Sequence, residues 1–481
     1  MSKLKKNLAL QTIYQIVITI TPLITAPYLA RKLGASSLGV YSYTLSITNY
    51  FLLFCMLGFI NYGTRAIASI SEKKEQNKMF SEIYLLQLIC CFVSLTVFLI
   101  LLLLFDNKIY LLLQSPWIIS CFFDVTWYFF GKEEFKITVI RNLIVKVITI
   151  VVTLLIVKNP TDLWKYILIM SLGILISQFS LWIIATKNIS FKNVSMRRVF
   201  SHLKPVCILF VPILAMSVYH IMDKTMLGAL STAKESGYYF NSDKIVSIPF
   251  GILTGIGTVM LSNITALLTK GQLEDAKNIF RKSLRYVVCL SIGMAFGIAA
   301  ISKEFIPVFF GPGYDKCILL VQILSVTIIA KCISDISRTQ YMIPYKKEKY
   351  FIVSVIVGSV INLILNFMYI YVLKMGALGA TLGTVITEIV VCAIQIVFIQ
   401  KDEKIVGVIV RNIAFIIYAI LMYISVRCIS VININIVLKI IVEIAIGGFV
   451  YLLLLFIHFN ITNDKEFNDI KNTIKNKLIS K

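Results

Sequence analysis

The sequence predicts an all-α polytopic membrane protein of about fourteen spans, arranged as two six-helix lobes plus two C-terminal helices. Three observations carry this. Hydrophobic residues make up 58% of the chain and charged residues only 15%. The apolar residues fall in runs of about twenty or more, the length that crosses a bilayer, rather than in amphipathic stripes. Basic residues alternate between loops, rich on one side of the membrane and poor on the other.

Runs long enough to cross lie near residues 8–31, 38–63, 80–105, 109–130, 137–157, 163–186, 204–230, 238–268, 282–302, 317–343, 350–373, 377–399, 407–430 and 435–458. An even number of crossings puts both termini on one side. With the N-terminus, the even-numbered connections and the tail in the cytoplasm, Lys and Arg there outnumber those in the other connections by roughly three to one. This bias also explains the net charge of +23 without nucleic acid, since basic cytoplasmic loops orient the protein and touch anionic headgroups. The first apolar run is too long for a cleaved signal peptide.

The ten cysteines include no Cys-x-x-Cys pair and read as small buried hydrophobes. His202, His220 and His458 are scattered, so neither a metal site nor another cofactor is expected. No phosphate-binding Gly-rich loop ending in Gly-Lys is present, which argues against nucleotide hydrolysis.

An internal echo divides the bundle. Leu33-Gly34 followed by Gly39-Val-Tyr41-Ser recurs as Leu227-Gly228 followed by Gly237-Tyr-Tyr239-Phe, and the hairpin Tyr128 to Lys136 recurs at Tyr341 to Lys349. The spacing contains six spans, which makes residues 1–203 and 204–400 the two lobes, related by an axis along the membrane normal, with a cavity between them. Residues 401–458 then add two helices, and 459–481 form a polar cytoplasmic tail.

Six cations, Lys146, Lys224, Lys244, Lys331, Arg338 and Lys439, lie inside apolar runs. Each costs about 2.5–3.5 kcal/mol to insert, so several together suggest an anion-binding cavity. In the first span Gln11, Gln15 and Thr19 share a face above Pro22 and Pro27, which suits either a moving polar wall or interhelical glue. Asp124 in the fourth span could pair with Lys146 in the fifth. Trp127 and Tyr128 close the fourth span, facing sugar rings or the membrane interface.

Asp223-Lys224 and Asp243-Lys244 sit at matching depths in the seventh and eighth spans, where cross-pairing can lock the lobe. Lys331, Asp335 and Arg338 share a face of the tenth span, either as an anion-binding wall or as a structural ion pair. Asn362, Asn366 and Tyr369 stripe the eleventh span and suit sugar hydroxyls. Glu388, mid-span in the twelfth, is the acid least explained by a nearby cation. It joins Asp124 and Asp335 as a candidate coupling site for protons or sodium. Lys439 and Glu443, spaced i, i+4 in the last span, read as a structural pair.

Three strings, PLITAPYLARKLGASSLGVYSYTLSI, DVTWYFFGKEEFKITVIRNLIVK and MDKTMLGALSTAKESGYYFNSDKIVSIP, resemble the polysaccharide biosynthesis flippases of the multidrug/oligosaccharidyl-lipid/polysaccharide exporter superfamily. With the span count, the resemblance covers essentially the whole chain. It implies a V-shaped pair of lobes that moves an undecaprenyl-diphosphate-linked oligosaccharide, for O-antigen or capsule, across the bacterial plasma membrane by alternating access, ahead of a polymerase and a chain-length regulator. With that cargo, the diphosphate contacts fall to Lys146, Lys224, Lys244, Lys331 or Arg338, and Gln11, Gln15, Asn362 and Asn366 join them as candidate cavity residues. One departure from the related lipid II flippases is a first span without Lys or Arg before Arg31. A drug or cation antiporter of the same fold stays open, because the six buried cations face six acids. A membrane glycan polymerase fits less well, since no external connection is long enough for a catalytic loop.

Overall fold

The computed structural model describes residues 3–186, 194–432 and 434–462, with the side chains of residues 3–16, 18–20, 256, 258 and 259 outside that description. The tail at 463–481 and most of the basic loop after Thr186 also lie outside it. Thirteen helical segments among the described residues are long and apolar enough to cross a membrane. The first of them, Thr21–Ala68, has 48 residues. At ~1.5 Å per residue that is twice the thickness of a hydrocarbon core. It holds two crossings because the helix breaks at Gly34, whose φ of 77° and ψ of 168° suit a residue without a Cβ. The expected fourteen spans are therefore accommodated.

The later spans are the third (Lys73–Leu104), fourth (Lys108–Gly131), fifth (Phe135–Ile156), sixth (Pro160–Thr186), seventh (Met196–Leu230), eighth (Ala233–Thr269) and ninth (Leu273–Phe310). The tenth (Lys316–Met342), eleventh (Glu348–Val372), twelfth (Ala377–Gln400), thirteenth (Ile405–Ile429) and fourteenth (Ile436–Ile461) complete the series. The tenth and eleventh end in wider π-helical turns at Ser337–Met342 and Phe367–Val372. The tenth-span π turn holds Arg338, and the eleventh-span one begins directly after Asn366.

The chain separates into two compact units. The first comprises Met1–Lys244 with the short returns Phe310–Gly313 and Phe351–Thr387. Its tightest crossing is made by the echoed motif. A Cβ on Gly39 would strike the backbone of Ala233, and a Cβ on Gly237 would strike the backbone of Ala35. The second and eighth spans thus meet reciprocally through Ala35-x-x-x-Gly39 and Ala233-x-x-x-Gly237, a small-residue crossing that lets backbones touch where lipid supplies no hydrophobic drive.

Within the same unit the fourth span is a series of short helices, Lys108–Leu112, Ser115–Ser120 and Thr126–Gly131. Its breaks expose main-chain groups that Gln87 of the third span satisfies. The Gln87 amide donates to the carbonyls of Cys121 (2.8 Å) and Asp124 (2.9 Å), and its oxygen accepts from the Trp127 indole (2.9 Å). Trp127 is fully buried against Phe80 and Gly63. It is neither an interfacial belt residue nor a glycan platform, because the broken span carries it into the core.

The second unit comprises Ile245–Phe309, Tyr314–Tyr350 and Glu388–Lys481. Glu403, nearly inaccessible, pairs with Lys277 (2.7 Å) and Arg281 (2.5 Å) at the start of the ninth span. Asp402 beside it pairs with Lys347 at 2.6 Å and accepts from the Tyr341 hydroxyl at 3.1 Å. The Lys347 ammonium holds the Asp402 carboxyl below its ordinary value. A lowered native pKa stabilises the fold above the unfolded value of about 3.9, and that contribution is lost as pH falls through the lowered native value. Asp402→Asn is expected to flatten the acid limb of the melting temperature against pH below about pH 4. Because the pair is exposed, salt should shrink the wild-type effect.

All ten cysteines are free thiols, and only Cys207 and Cys428 are exposed.

Candidate functional site

The structure sorts the six intramembrane cations by their partners. Lys224 Nζ lies 3.0 Å from Asp243 Oδ2, the expected cross-pairing of the seventh and eighth spans. Lys331 reaches across to Glu388 at 3.6 Å, leaving Asp335 to Arg338 at 2.7 Å. This corrects two expectations. Lys331 does not pair with Asp335, and Glu388 has a cation after all, because the tenth and twelfth spans face each other at that point. Lys439 donates to the Ser430 carbonyl at 2.6 Å rather than to Glu443, so the expected i, i+4 pair does not form.

Two cations remain, Lys146 of the fifth span and Lys244 of the eighth. Neither forms a salt bridge among the described residues, and Asp124 does not reach Lys146. Asp124 instead accepts the Thr126 amide at 3.0 Å, capping the last short helix of the broken fourth span. Lys146 and Lys244 line one cavity of about 250 Å³ in the first unit. Its wall also includes Thr21 and Thr25 of the first span, Tyr41, Thr149 and Thr153 of the fifth span, Tyr166 and Phe240, and contains no acidic residue. Lys244 Nζ sits 4.0 Å from the centroid of the Phe240 ring, whose face partly shields the charge.

Two half-buried ammonium groups on a carboxylate-free wall form a positive pocket in a low-dielectric setting, where opposite charges attract far more strongly than in water. An anion is the ligand that this wall favours.

The other expected site residues have different surroundings. Asn362 and Asn366 are completely buried, not presented to a glycan. Asn366 donates to Asp223 Oδ1 at 2.6 Å and to Asn362 at 3.0 Å. Asp223 Oδ2 lies 2.6 Å from the Tyr239 hydroxyl and 2.8 Å from that of Thr384. This buried carboxylate is thus satisfied by neutral donors, and it ties the seventh span to the eighth, eleventh and twelfth. The side chains of Gln11, Gln15 and Thr19 lie outside the described residues.

Sequence reasoning missed Thr149 and Thr153, although Lys146, Thr149 and Thr153 are spaced i, i+3, i+7 and share a helix face. Attention to charge alone passed over them. No group of three or more His, Cys, Asp or Glu residues able to hold a metal occurs among the described residues.

A helical bundle of this length with a positive pocket in its interior defines a polytopic membrane protein with a candidate anion site. Among solved structures it resembles the lipid II flippase MurJ in an inward closed conformation, with a TM-score of 0.73 at 17% identity over 93% of this chain and 98% of that one. It also resembles an inward-facing multidrug resistance MATE transporter of the MOP superfamily, with a TM-score of 0.63 at 12% identity over 83% of this chain and 98% of that one. A family model described as polysaccharide biosynthesis protein matches residues 4–261, and the chain belongs to that family. The candidate O-antigen transporter of Escherichia coli (strain K12) is 24% identical over 417 residues, spanning 84% of this chain and 98% of the relative. Its counterpart from Shigella dysenteriae is 25% identical over 420 residues, 83% of this chain and all of the relative.

Proposed function

We propose that this protein is a flippase that carries an undecaprenyl-diphosphate-linked oligosaccharide repeat unit from the inner to the outer leaflet of the bacterial plasma membrane. Both termini are cytoplasmic in this reading, as the distribution of Lys and Arg argues. The observation that carries it is the convergence of the unpaired Lys146 and Lys244 on one acid-free pocket. The diphosphate binds there, the glycan passes through the polar interior, and the polyprenyl tail stays in lipid.

Transport proceeds by alternating access, with spans one to six and seven to twelve (residues 1–203 and 204–400) as the moving lobes and no covalent step. The family and the name of the Escherichia coli relative support a polysaccharide precursor as cargo. A cation antiporter of the same fold would need carboxylates facing its cargo, and the lysine pocket has none.

The test is complementation. A strain lacking this gene should lose its surface polysaccharide and accumulate lipid-linked repeat units facing the cytoplasm, and the wild-type gene should restore export. A deletion strain with normal surface glycan but new sensitivity to cationic drugs would overturn the reading.

A further inference from the structure

We propose that Glu443 of the fourteenth span is a proton-binding site, and that Arg427 of the thirteenth span is the cation it engages when the proton leaves. The site belongs to the second unit and shares no residue with the lysine pocket of the first, so it stands whatever lipid the protein carries.

Glu443 is completely buried, and among the described residues neither oxygen of its carboxyl has a hydrogen-bond partner. It shares a helix face with Gly447 and Tyr451, spaced i, i+4, i+8. That face packs on two neighbours. A Cβ on Gly447 would stand 2.9 Å from the Val426 side chain of the thirteenth span, and the Tyr451 hydroxyl donates to the Cys289 carbonyl of the ninth at 2.7 Å.

The charged groups close enough to act on Glu443 are Glu304 of the ninth span, Arg427 of the thirteenth and Lys439 of its own helix. Both cations are engaged elsewhere. Lys439 donates to the Ser430 carbonyl at 2.6 Å. Arg427 Nη1 donates to Glu304 Oε2 at 2.8 Å and to the Ala300 carbonyl at 3.1 Å. An ionised Glu443 would be a buried charge without a donor, which costs several kcal/mol, whereas a neutral carboxyl avoids most of that cost. The acid therefore carries its proton in this arrangement.

Arg427 is suited to answer the loss of that proton. A guanidinium presents five N–H donors, and both contacts to Glu304 and Ala300 use one nitrogen. The remaining donors can meet Glu443 while Glu304 is kept, which sets one cation between two carboxylates. Deprotonation then ties the fourteenth span to the ninth and thirteenth by charge, and proton uptake leaves them held by packing alone.

The position gives the proton a short path. Glu304, Arg427 and Glu443 lie within about two helical turns of the span ends Phe310, Ile429 and Ile436, all at the membrane face opposite the cytoplasmic termini in the topology read from the basic loops.

The experiment is pH-difference infrared spectroscopy on the full-length protein in lipid nanodiscs. Wild type should show the carbonyl stretch of a protonated carboxyl that disappears as pH is raised above neutral, and Glu443→Gln should lack that difference band. Because glutamine copies the neutral acid, Glu443→Gln should also melt at or above the wild-type temperature at neutral pH. Arg427→Gln, measured on the folded fraction from size exclusion, should keep most of its band at the pH where half of the wild-type band has gone. The same difference band in wild type and Glu443→Gln, or a Glu443→Gln protein that melts early, would overturn the proton site. An Arg427→Gln protein that loses its band at the wild-type pH would remove Arg427 from the exchange.

Discussion

The double variant Lys146→Ala/Lys244→Ala is expected to reduce surface polysaccharide to background while accumulating in the membrane at wild-type level. The two parts of this expectation have one cause. A lysine without an acidic partner in a low-dielectric interior destabilises the fold that carries it, so its removal relieves a burial cost and leaves no orphaned charge. The purified variant should therefore melt at or above the wild-type temperature. Lys244→Arg should retain partial export, because the charge survives although the geometry changes.

Lys331 provides the contrast. Lys331→Ala removes the cation 3.6 Å from Glu388, and breaking a buried pair by removing one partner costs about 3–5 kcal/mol. That variant should accumulate poorly and melt early, and Lys331→Ala/Glu388→Ala should recover much of the loss. Lipid-linked repeat units counted on each leaflet, with protein amount and melting temperature from the same preparations, separate the two behaviours. An early-melting Lys146→Ala/Lys244→Ala variant would place those lysines among the structural pairs.

The second large effect falls on the crossing of the second and eighth spans. Gly39→Leu or Gly237→Leu inserts a side chain where a Cβ already meets the facing backbone. Overpacking of a rigid contact costs about 1–3 kcal/mol, and here the obstacle is main chain that cannot rotate away. Each substitution should lower folded yield in detergent, read by fluorescence-detected size exclusion. Alanine should give the same sign with smaller size, whereas leucine at Gly407, which has open space around it, should be tolerated.

Features that depend on one helix at a time were legible in the sequence. Apolar runs mark where the chain crosses, and the break at Gly34 agrees with the gap between the first two runs. The glycine echo was also informative, since Gly39 and Gly237 turn out to face each other's helices. What sequence spacing did not reveal was the choice of partner. Lys331 had an acid at i+4 and took one from the twelfth span, and Lys439 passed over Glu443 for a main-chain carbonyl. Position along a span also misled for Trp127, which the broken fourth span carries from an expected boundary into the core. Thr149 and Thr153 share a helix face with Lys146, but a hydroxyl in an apolar helix is ordinary until the cavity it borders is seen.

The most direct test of the central claim is reconstitution. The purified protein, placed in liposomes with a fluorescently tagged undecaprenyl-diphosphate-linked oligosaccharide in one leaflet, should move the tagged head to the other, scored by protection from a membrane-impermeant quencher. Wild type should equalise the leaflets and Lys146→Ala/Lys244→Ala should not. A wild-type protein that leaves the lipid where it was placed, or a double variant that moves it equally fast, would contradict the account.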